Sequence, residues 1–227
     1  MNARAAVILD EDVQIPAEVF SLGRFRQWSQ GSRFPEQGRI DYLNGLVEVD
    51  LSPEDLYTHG VVKTAIAAEL YPRIVKTRRG NVFVDRTRIV SPAAGLSAEP
   101  DVIVVLWQSL REGRVREVPA ASGEPGRFVE LEGASDLIVE IVSDRSVHKD
   151  LERLPQIYAE AGIPELWTVD ARGADLRFEI RLLGQAGYEV QAADTDGWTP
   201  SLLLGQRCRL LRGLTENGRW AYDLEFA

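Results

Sequence analysis

Residues 136–170 read DLIVEIVSDRSVHKDLERLPQIYAEAGIPELWTVD, and their order decides the fold class. Side chains alternate along a strand, so Leu137, Val139 and Ile141 face one way and Ile138, Glu140 and Val142 the other. Apart from Glu140 both faces are apolar, which predicts a central strand covered on both sides. A helix follows over about 151–161, with Gly162 just past its end and Pro164 beyond. Residues 166–170 then form another buried strand. Glu140 is the anomaly, because a buried carboxylate without a partner costs roughly several kcal/mol. A second carboxylate, Asp101, opens the apolar stretch 101–106, where it shares a face with Ile103 and Val105. Two such acids on neighbouring strands point to one shared positive partner, most simply a divalent metal.

Upstream, 11–37 reads as an N-terminal segment with a short helix whose apolar side is Val19, Phe20, Leu22, Phe25 and Trp28. Residues 39–51 read as a β-hairpin, with Asn44-Gly45 supplying the positive φ angles of a type I′ turn. Ser52-Pro53-Glu54-Asp55 carries a helix-start pattern of capping serine, first-turn proline and acid. That helix continues towards Arg78, with a kink or split expected at Pro72, and closes at Gly80. Strands are expected over 81–90, 101–106, 128–131 and 137–143, and a polar surface loop over 108–127. The tail predicts further antiparallel strands over 176–183, 188–192 and 208–226, with turns at Gly184 and Gly197. The expectation is a single α/β domain, 1–227, built on a mixed β-sheet flanked by helices, with an N-terminal hairpin and C-terminal antiparallel strands.

Composition narrows the function classes. The 44% hydrophobic and 27% charged content is that of an ordinary globular protein. No apolar run approaches the ~20 residues of a membrane span. Residues 1–12 lack the basic start and apolar core of a secretory signal. Cys208 has no partner for an internal disulfide and reads as a core thiol; a cytoplasmic location and no membrane association follow as expectations. The net charge of −9 opposes wholesale coating of nucleic acid. Arg73, Lys76, Arg78, Arg79, Arg86 and Arg88 nevertheless cluster around a lone Asp85. They form either a local phosphate-facing patch or a basic helix end followed by a solvated strand edge.

Hard divalent cations such as Mg²⁺ take oxygen ligands, often one or two carboxylates plus waters and phosphate oxygens. Such an ion can activate water and neutralise charge during phosphodiester cleavage, and a nearby lysine would help orient or deprotonate that water. No nucleophile elbow, glycine-rich phosphate loop or Cys/His zinc spacing is present.

The sequence Glu140-Ile-Val-Ser143, Lys149-Asp150 and Tyr158-Ala-Glu-Ala-Gly162-Ile-Pro-Glu165-Leu-Trp167-Thr-Val-Asp170 resembles the Uma-two family of restriction-endonuclease-like proteins, within the PD-(D/E)XK nuclease superfamily. Asp41-Tyr-Leu-Asn-Gly45, Ser52-Pro53 with His59 behind it, and Pro100-Asp101 follow the same family order. The resemblance covers about 38–170. It implies a restriction-endonuclease-like core over that stretch and a Mg²⁺-dependent nuclease site, with Mn²⁺ as an alternative ion and Asp101 and Glu140 as metal ligands. The parent motif has a lysine two residues after the acid, where this chain has Val142, and family members often carry lysine near the position of Leu154. Lys149 and Arg153 are the cations on offer here; arginine can orient or neutralise but stays protonated.

Each candidate has a structural alternative. Glu140 could pair with Lys149 or Arg153 purely for stability, and Asp101 could simply start a strand after Pro100. His59, one turn before Lys63, either reaches the site or is a core or interface histidine. His148 reads as solvated, and Asp150 as a helix N-cap with a family-implied site role. Glu165, Trp167 and Asp170 read as holding the helix-to-strand connection and the sheet edge, and Glu69 is a candidate extra acid. Three functions remain open: a metal-dependent endonuclease on nucleic acid, in the first place DNA; an inactive nuclease fold serving as a binding or regulatory module; and a homodimeric interaction protein pairing through its Trp-containing C-terminal strands.

Overall fold

The computed structural model of the chain describes residues 6–10 and 13–227. The signal-free reading of 1–12 and the first residues of the 11–37 segment therefore lie partly outside the described residues. A short antiparallel pair, Ala6–Asp10 with Val13–Pro16, leads into a 3₁₀ turn, Ala17–Val19, and a helix, Leu22–Ser29. Val19, Phe25 and Trp28 bury together with Ile15, Ile40 and Tyr42. Phe20 departs from the expected apolar side and is exposed, because it ends the 3₁₀ turn rather than joining the helix.

Two six-stranded sheets form the body of the molecule. The central sheet runs Gly187–Val190, Arg177–Gly184, Glu165–Asp170, Leu137–Ile141, Val102–Leu106, Gly80–Val84. Leu137–Ile141 and Glu165–Asp170 are parallel and every other pair is antiparallel. The crossover between the parallel strands carries a π-helical turn, Lys149–Arg153, and an α-helix, Leu154–Glu160. The second sheet runs Leu46–Asp50, Arg39–Leu43, Leu96–Ala98, Arg88–Ser91, Phe128–Gly133, Val115–Pro119. Its hairpin turns at Asn44 and Gly45, both with positive φ, which is the tight turn that Asn-Gly supplies.

Two expectations change here. The stretch 81–90 is two strands, not one: Gly80–Val84 joins the central sheet and Arg88–Ser91 the second. Asp85 and Arg86 turn the chain between them with φ of 42° and 51°, a conformation the β-branched composition around them hides. The stretch 108–127 is not all loop. It holds a short helix, Trp107–Arg111, and the edge strand Val115–Pro119, which buries Val115 while Arg116 and Glu117 stay exposed. Polar composition cannot separate a solvated edge strand from a loop.

The helix start also moves. Asp55, not Ser52, caps it, its carboxylate accepting from the backbone N–H groups of Tyr57 and Thr58 at 2.9 and 2.7 Å. Ser52 instead donates to Asp50 at 2.5 Å. The helical run passes through a π turn, Leu56–Gly60, the α-helix Val61–Tyr71 and a second π turn, Pro72–Lys76. Pro72 thus marks a change of helical pitch and the chain stays helical past it.

Val62, Ile66, Leu70 and Ile74 lie four residues apart, making one buried stripe on this run. The stripe packs on the Val139 and Trp167 face of the central sheet. A three-stranded antiparallel sheet, Thr199–Ser201, Gln206–Leu214 and Trp220–Phe226, completes that core with Cys208, Leu210 and Leu224. The other face of the central sheet, bearing Ile103, Val105 and Ile138, packs on the second sheet and on Leu154, Ile157 and Tyr158. No helix among the described residues is long and apolar enough to cross a membrane.

Candidate metal centre

The pairing Ile138↔Ile103 and Val139↔Val102 sets Glu140 opposite Asp101 where the two central strands run out of shared ladder. Both are buried, at 1% and 0% exposure. Asp101 is thoroughly occupied. Its Oδ2 accepts from the Ile141 backbone N–H at 2.8 Å and lies 3.4 Å from His59 Nε2. Its Oδ1 accepts from Arg39 Nη2 at 2.7 Å and lies 3.8 Å from Lys63 Nζ. Burial alone would push the Asp101 carboxyl up, but Arg39, then His59 and Lys63, hold it well below the usual range.

His59 stands between two acids, with Nδ1 3.3 Å from Glu54 Oε2 on its other side. Burial would lower its pKa, yet the adjacent carboxylates of Asp101 and Glu54 push it up to about 9. Glu54 is in turn lowered to about 2, chiefly by His59, with burial opposing and Lys63 adding to the shift. Lys63 follows one turn later on the helix and pairs with Glu54 at 3.0 Å and with Asp85.

Glu140 is the reverse case. Oε1 accepts from the Tyr158 hydroxyl at 2.5 Å, and Oε2 is buried with no hydrogen-bond partner. Burial, then the negative charges of Asp101 and Asp150, push its pKa up to about 8. Neither Lys149 nor Arg153 pairs with it. Lys149 Nζ sits 3.1 Å from Asp41 Oδ2 and 3.9 Å from Asp150 Oδ1, and those acids raise its pKa against the effect of burial. Arg153 reaches away to Glu48 at 2.6 Å on the hairpin. Asp150 is not an N-cap: it lies inside the helical turn Lys149–Arg153, and its Oδ2 accepts from the Ser146 hydroxyl. Burial, opposed by Lys149 and Ser146, brings Asp150 up to about 6.

The structure thus gathers Asp101, Glu140, His59 and Lys149 and leaves Arg153 outside. His148 is exposed beside Glu152 at 3.0 Å, and Glu69 pairs with Arg73 at 2.6 Å. Asp170 pairs with Arg172 at 2.8 Å. Glu165 accepts from Trp167 Nε1, Ser201 Oγ and the Leu203 N–H at 2.6, 2.7 and 2.8 Å, so it fastens the C-terminal sheet to the central one. The basic stretch does not form one patch. Arg73 stacks on Phe226, Arg79 donates to the Leu203 carbonyl, and Arg88 is buried against Glu99 and the Ile40 carbonyl. Arg86 remains exposed and lines a cavity of about 300 Å³ whose walls include Arg39, Asp50, Glu54, His59 and Ser143.

Sequence reasoning missed Arg39, Asp41, Glu54 and Tyr158. Arg39 and Asp41 alternate with buried Ile40 and Tyr42 on one strand of the second sheet, so both polar side chains face the central strands. Asp41 also accepts from the Glu99 N–H at 3.1 Å. Tyr158 sits within the motif that carries the family resemblance, yet nothing local marks its hydroxyl as a donor to Glu140.

The donor set suits a divalent ion. Glu54, His59 and Asp101 offer ligand atoms within 4.8 Å of one another, and Glu140 Oε2 is a buried oxygen lacking a cation or donor. Carboxylate oxygens fit Mg²⁺ or Mn²⁺, and a histidine nitrogen favours the latter.

A family model described as "Uma2: Putative restriction endonuclease" matches residues 22–211. Among solved structures, the chain is similar to a "putative nuclease belonging to DUF820" from Anabaena variabilis, with a TM-score of 0.59 and 16% identity. That match covers 82% of this chain and 90% of the other, and at this identity it shows a shared fold. No relative among curated proteins matches the sequence.

Proposed function

The chain belongs to the Uma2 family, and from that premise we propose that it is a Mg²⁺-dependent endonuclease hydrolysing phosphodiester bonds in DNA, with Mn²⁺ as the alternative ion. The observation that carries this reading is the buried pair Asp101 and Glu140 on adjacent central strands, beside a cavity walled by Arg39, His59 and Arg86. In this reading Asp101 and Glu140 are the metal ligands. The ion supplies charge neutralisation at the phosphate and a water of lowered pKa. Lys149, fixed by Asp41, is the orienting cation that Val142 and Leu154 do not provide. Arg39 and Arg86 meet the phosphodiester at the cavity, which an acidic chain of net charge −9 needs locally. His59 holds a proton at Nε2 against Asp101.

Cleavage of plasmid and single-stranded DNA in Mg²⁺ and Mn²⁺ tests this, with Asp101→Ala and Glu140→Gln alongside the wild type. Each substitution should lower the rate by about 10²-fold or more. A wild type that cleaves neither substrate in either ion, or variants that cleave equally well, would reject the reading. Homodimerisation is part of the same proposal, although one face of the C-terminal sheet is already used against the helix Val61–Tyr71. Light scattering that reads a monomer at micromolar concentration removes it. A cytoplasmic location fits the single buried thiol, Cys208; recovery of the native protein from an extracytoplasmic fraction would reject it.

The second reading is an inactive nuclease fold that binds without cutting. It draws on Asp101, which has three cationic groups within 4 Å, and on the buried, apolar Val142 and Leu154. Metal-independent DNA binding with no cleavage would select it.

A further inference from the structure

The cations around Glu140 are unevenly shared among the buried acids. Asp41, Asp101, Glu140 and Asp150 are each 2% exposed or less. Asp101 has Arg39, His59 and Lys63, and Asp41 has Lys149 at 3.1 Å. Glu140 has only the neutral Tyr158 hydroxyl, and the lysine nearest Asp150 stands 3.9 Å from it. Among the described residues, four carboxylate oxygens are buried without a hydrogen bond, on Glu48, Glu132, Glu140 and Asp150. The first two lie 2.6 Å from an arginine nitrogen, of Arg153 and Arg26 respectively. Glu140 Oε2 has no such partner, and Asp150 Oδ1 has only Lys149 at 3.9 Å, which Asp41 holds more closely at 3.1 Å. Burying one carboxylate with no cation and another with only a shared lysine is unfavourable, and a single divalent cation would balance both.

The surroundings fit that role. Ser146 holds Asp150 by Oδ2, which leaves Oδ1 without a hydrogen bond, 3.9 Å from Lys149 Nζ. Ser143 and Ser146 hydrogen-bond to one another at 2.7 Å and both line the cavity, so this acid lies directly behind the cavity wall. Asp101, by contrast, has each oxygen hydrogen-bonded, Oδ1 by Arg39 and Oδ2 by the Ile141 N–H.

We propose that Asp150 is a carboxylate ligand of the divalent cation and shares it with Glu140. This rests on the metal-dependent reading above. Asp150 then adds a further oxygen ligand to the acids named above, as hard Mg²⁺ and Mn²⁺ prefer, and Glu54, His59 and Lys63 form a neighbouring ion-pair network against Asp101.

Mn²⁺ binding to the full chain, followed by calorimetry and by electron paramagnetic resonance, tests the assignment without relying on cleavage. Asp150→Asn preserves an acceptor for Ser146, and its metal-free melting temperature should equal or exceed that of the wild type. Its Mn²⁺ affinity should fall at least about tenfold, as should that of Glu140→Gln. Wild-type affinity in Asp150→Asn, with loss in Glu140→Gln, overturns the inference and leaves the metal-dependent reading standing. Weakening by His59→Gln in place of Asp150→Asn places the ion at the histidine group and also overturns it. A wild type that binds no Mn²⁺ ends both. Should Asp150→Asn not fold, the electron spin echo of wild-type Mn²⁺ decides: no histidine ¹⁴N coupling is expected, and its presence rejects the assignment.

Discussion

Tyr158 donates its hydroxyl to one oxygen of Glu140 at 2.5 Å, and the other oxygen of Glu140 is buried with nothing to accept from. A helix that returns the chain to the central sheet thereby holds one side of the acid and leaves the other available. Tyr158→Phe removes the single donor. Metal-free protein should lose about 1–3 kcal/mol of stability, the usual penalty for stranding a buried polar group. Urea unfolding in chelator measures it, and an unchanged midpoint would show the hydroxyl does not support Glu140.

Lys149 and Arg153 separate cleanly in space. Lys149 is buried between Asp41 and Asp150, whereas Arg153 pairs with Glu48 on the hairpin. Lys149→Met should reduce DNA cleavage by about 10²-fold, the scale seen on removing one charge-stabilising group. Arg153→Met should stay within about threefold of the wild type, since it touches neither acid. Equal losses in the two variants would contradict this division.

The metal-free protein should lose stability as pH rises from weakly acidic values. Glu140 is raised from 4.5 to about 8, so its contribution is fully present below 4.5 and is lost by 8. Asp150, raised to about 6, acts in the same direction at lower pH. His59, raised from 6.5 to about 9, adds a contribution that disappears between those values. Glu54 runs oppositely: lowered to about 2, it stabilises above 4.5 and loses that contribution as pH falls towards 2. Unfolding free energies in chelator across pH 4.5–9 should therefore decline. Glu140→Gln should flatten the lower part of the decline and His59→Gln the upper part, and a pH-independent wild type would refute both assignments.

Gly80 begins the edge strand that pairs with Val102–Leu106, and a Cβ there would fall 2.1 Å from the Val105 carbonyl oxygen. The obstacle is backbone, so no side chain can swing clear. Gly80→Ala should destabilise by about 1–3 kcal/mol, read as a lowered thermal midpoint. A midpoint within a degree of wild type would mean the strand can shift without loss.

Local patterns made much of the architecture legible. Alternation in 137–142 separated the two faces of the central strand as they pack, and Asn44-Gly45 fixed its hairpin. Competing caps were harder. Ser52 and Asp55 both suit a helix start, and the nearby Asp50 takes Ser52. The change of sheet at Asp85-Arg86 was hidden because β-branched residues flank it on both sides. The surroundings of the acids were least legible. Arg39 meets Asp101 across 62 residues of sequence and Asp41 meets Lys149 across 108, by a contact between two sheets. A single strand's alternation shows which residues share a face but not what that face meets.

The bond from the Ile141 N–H to Asp101 gives a side chain the place that a neighbouring backbone carbonyl would take if the ladder continued. The acid thereby terminates the strand pairing and opens the gap in which it stands. Selection on this position cannot treat chemistry and architecture as separate traits. A chain with no catalytic role would still be constrained to keep an acceptor of this reach at Asp101, and Lys149, buried between Asp41 and Asp150, is held by charge compensation in the same way. Among related sequences, retention of the first acid is therefore a poor marker of activity.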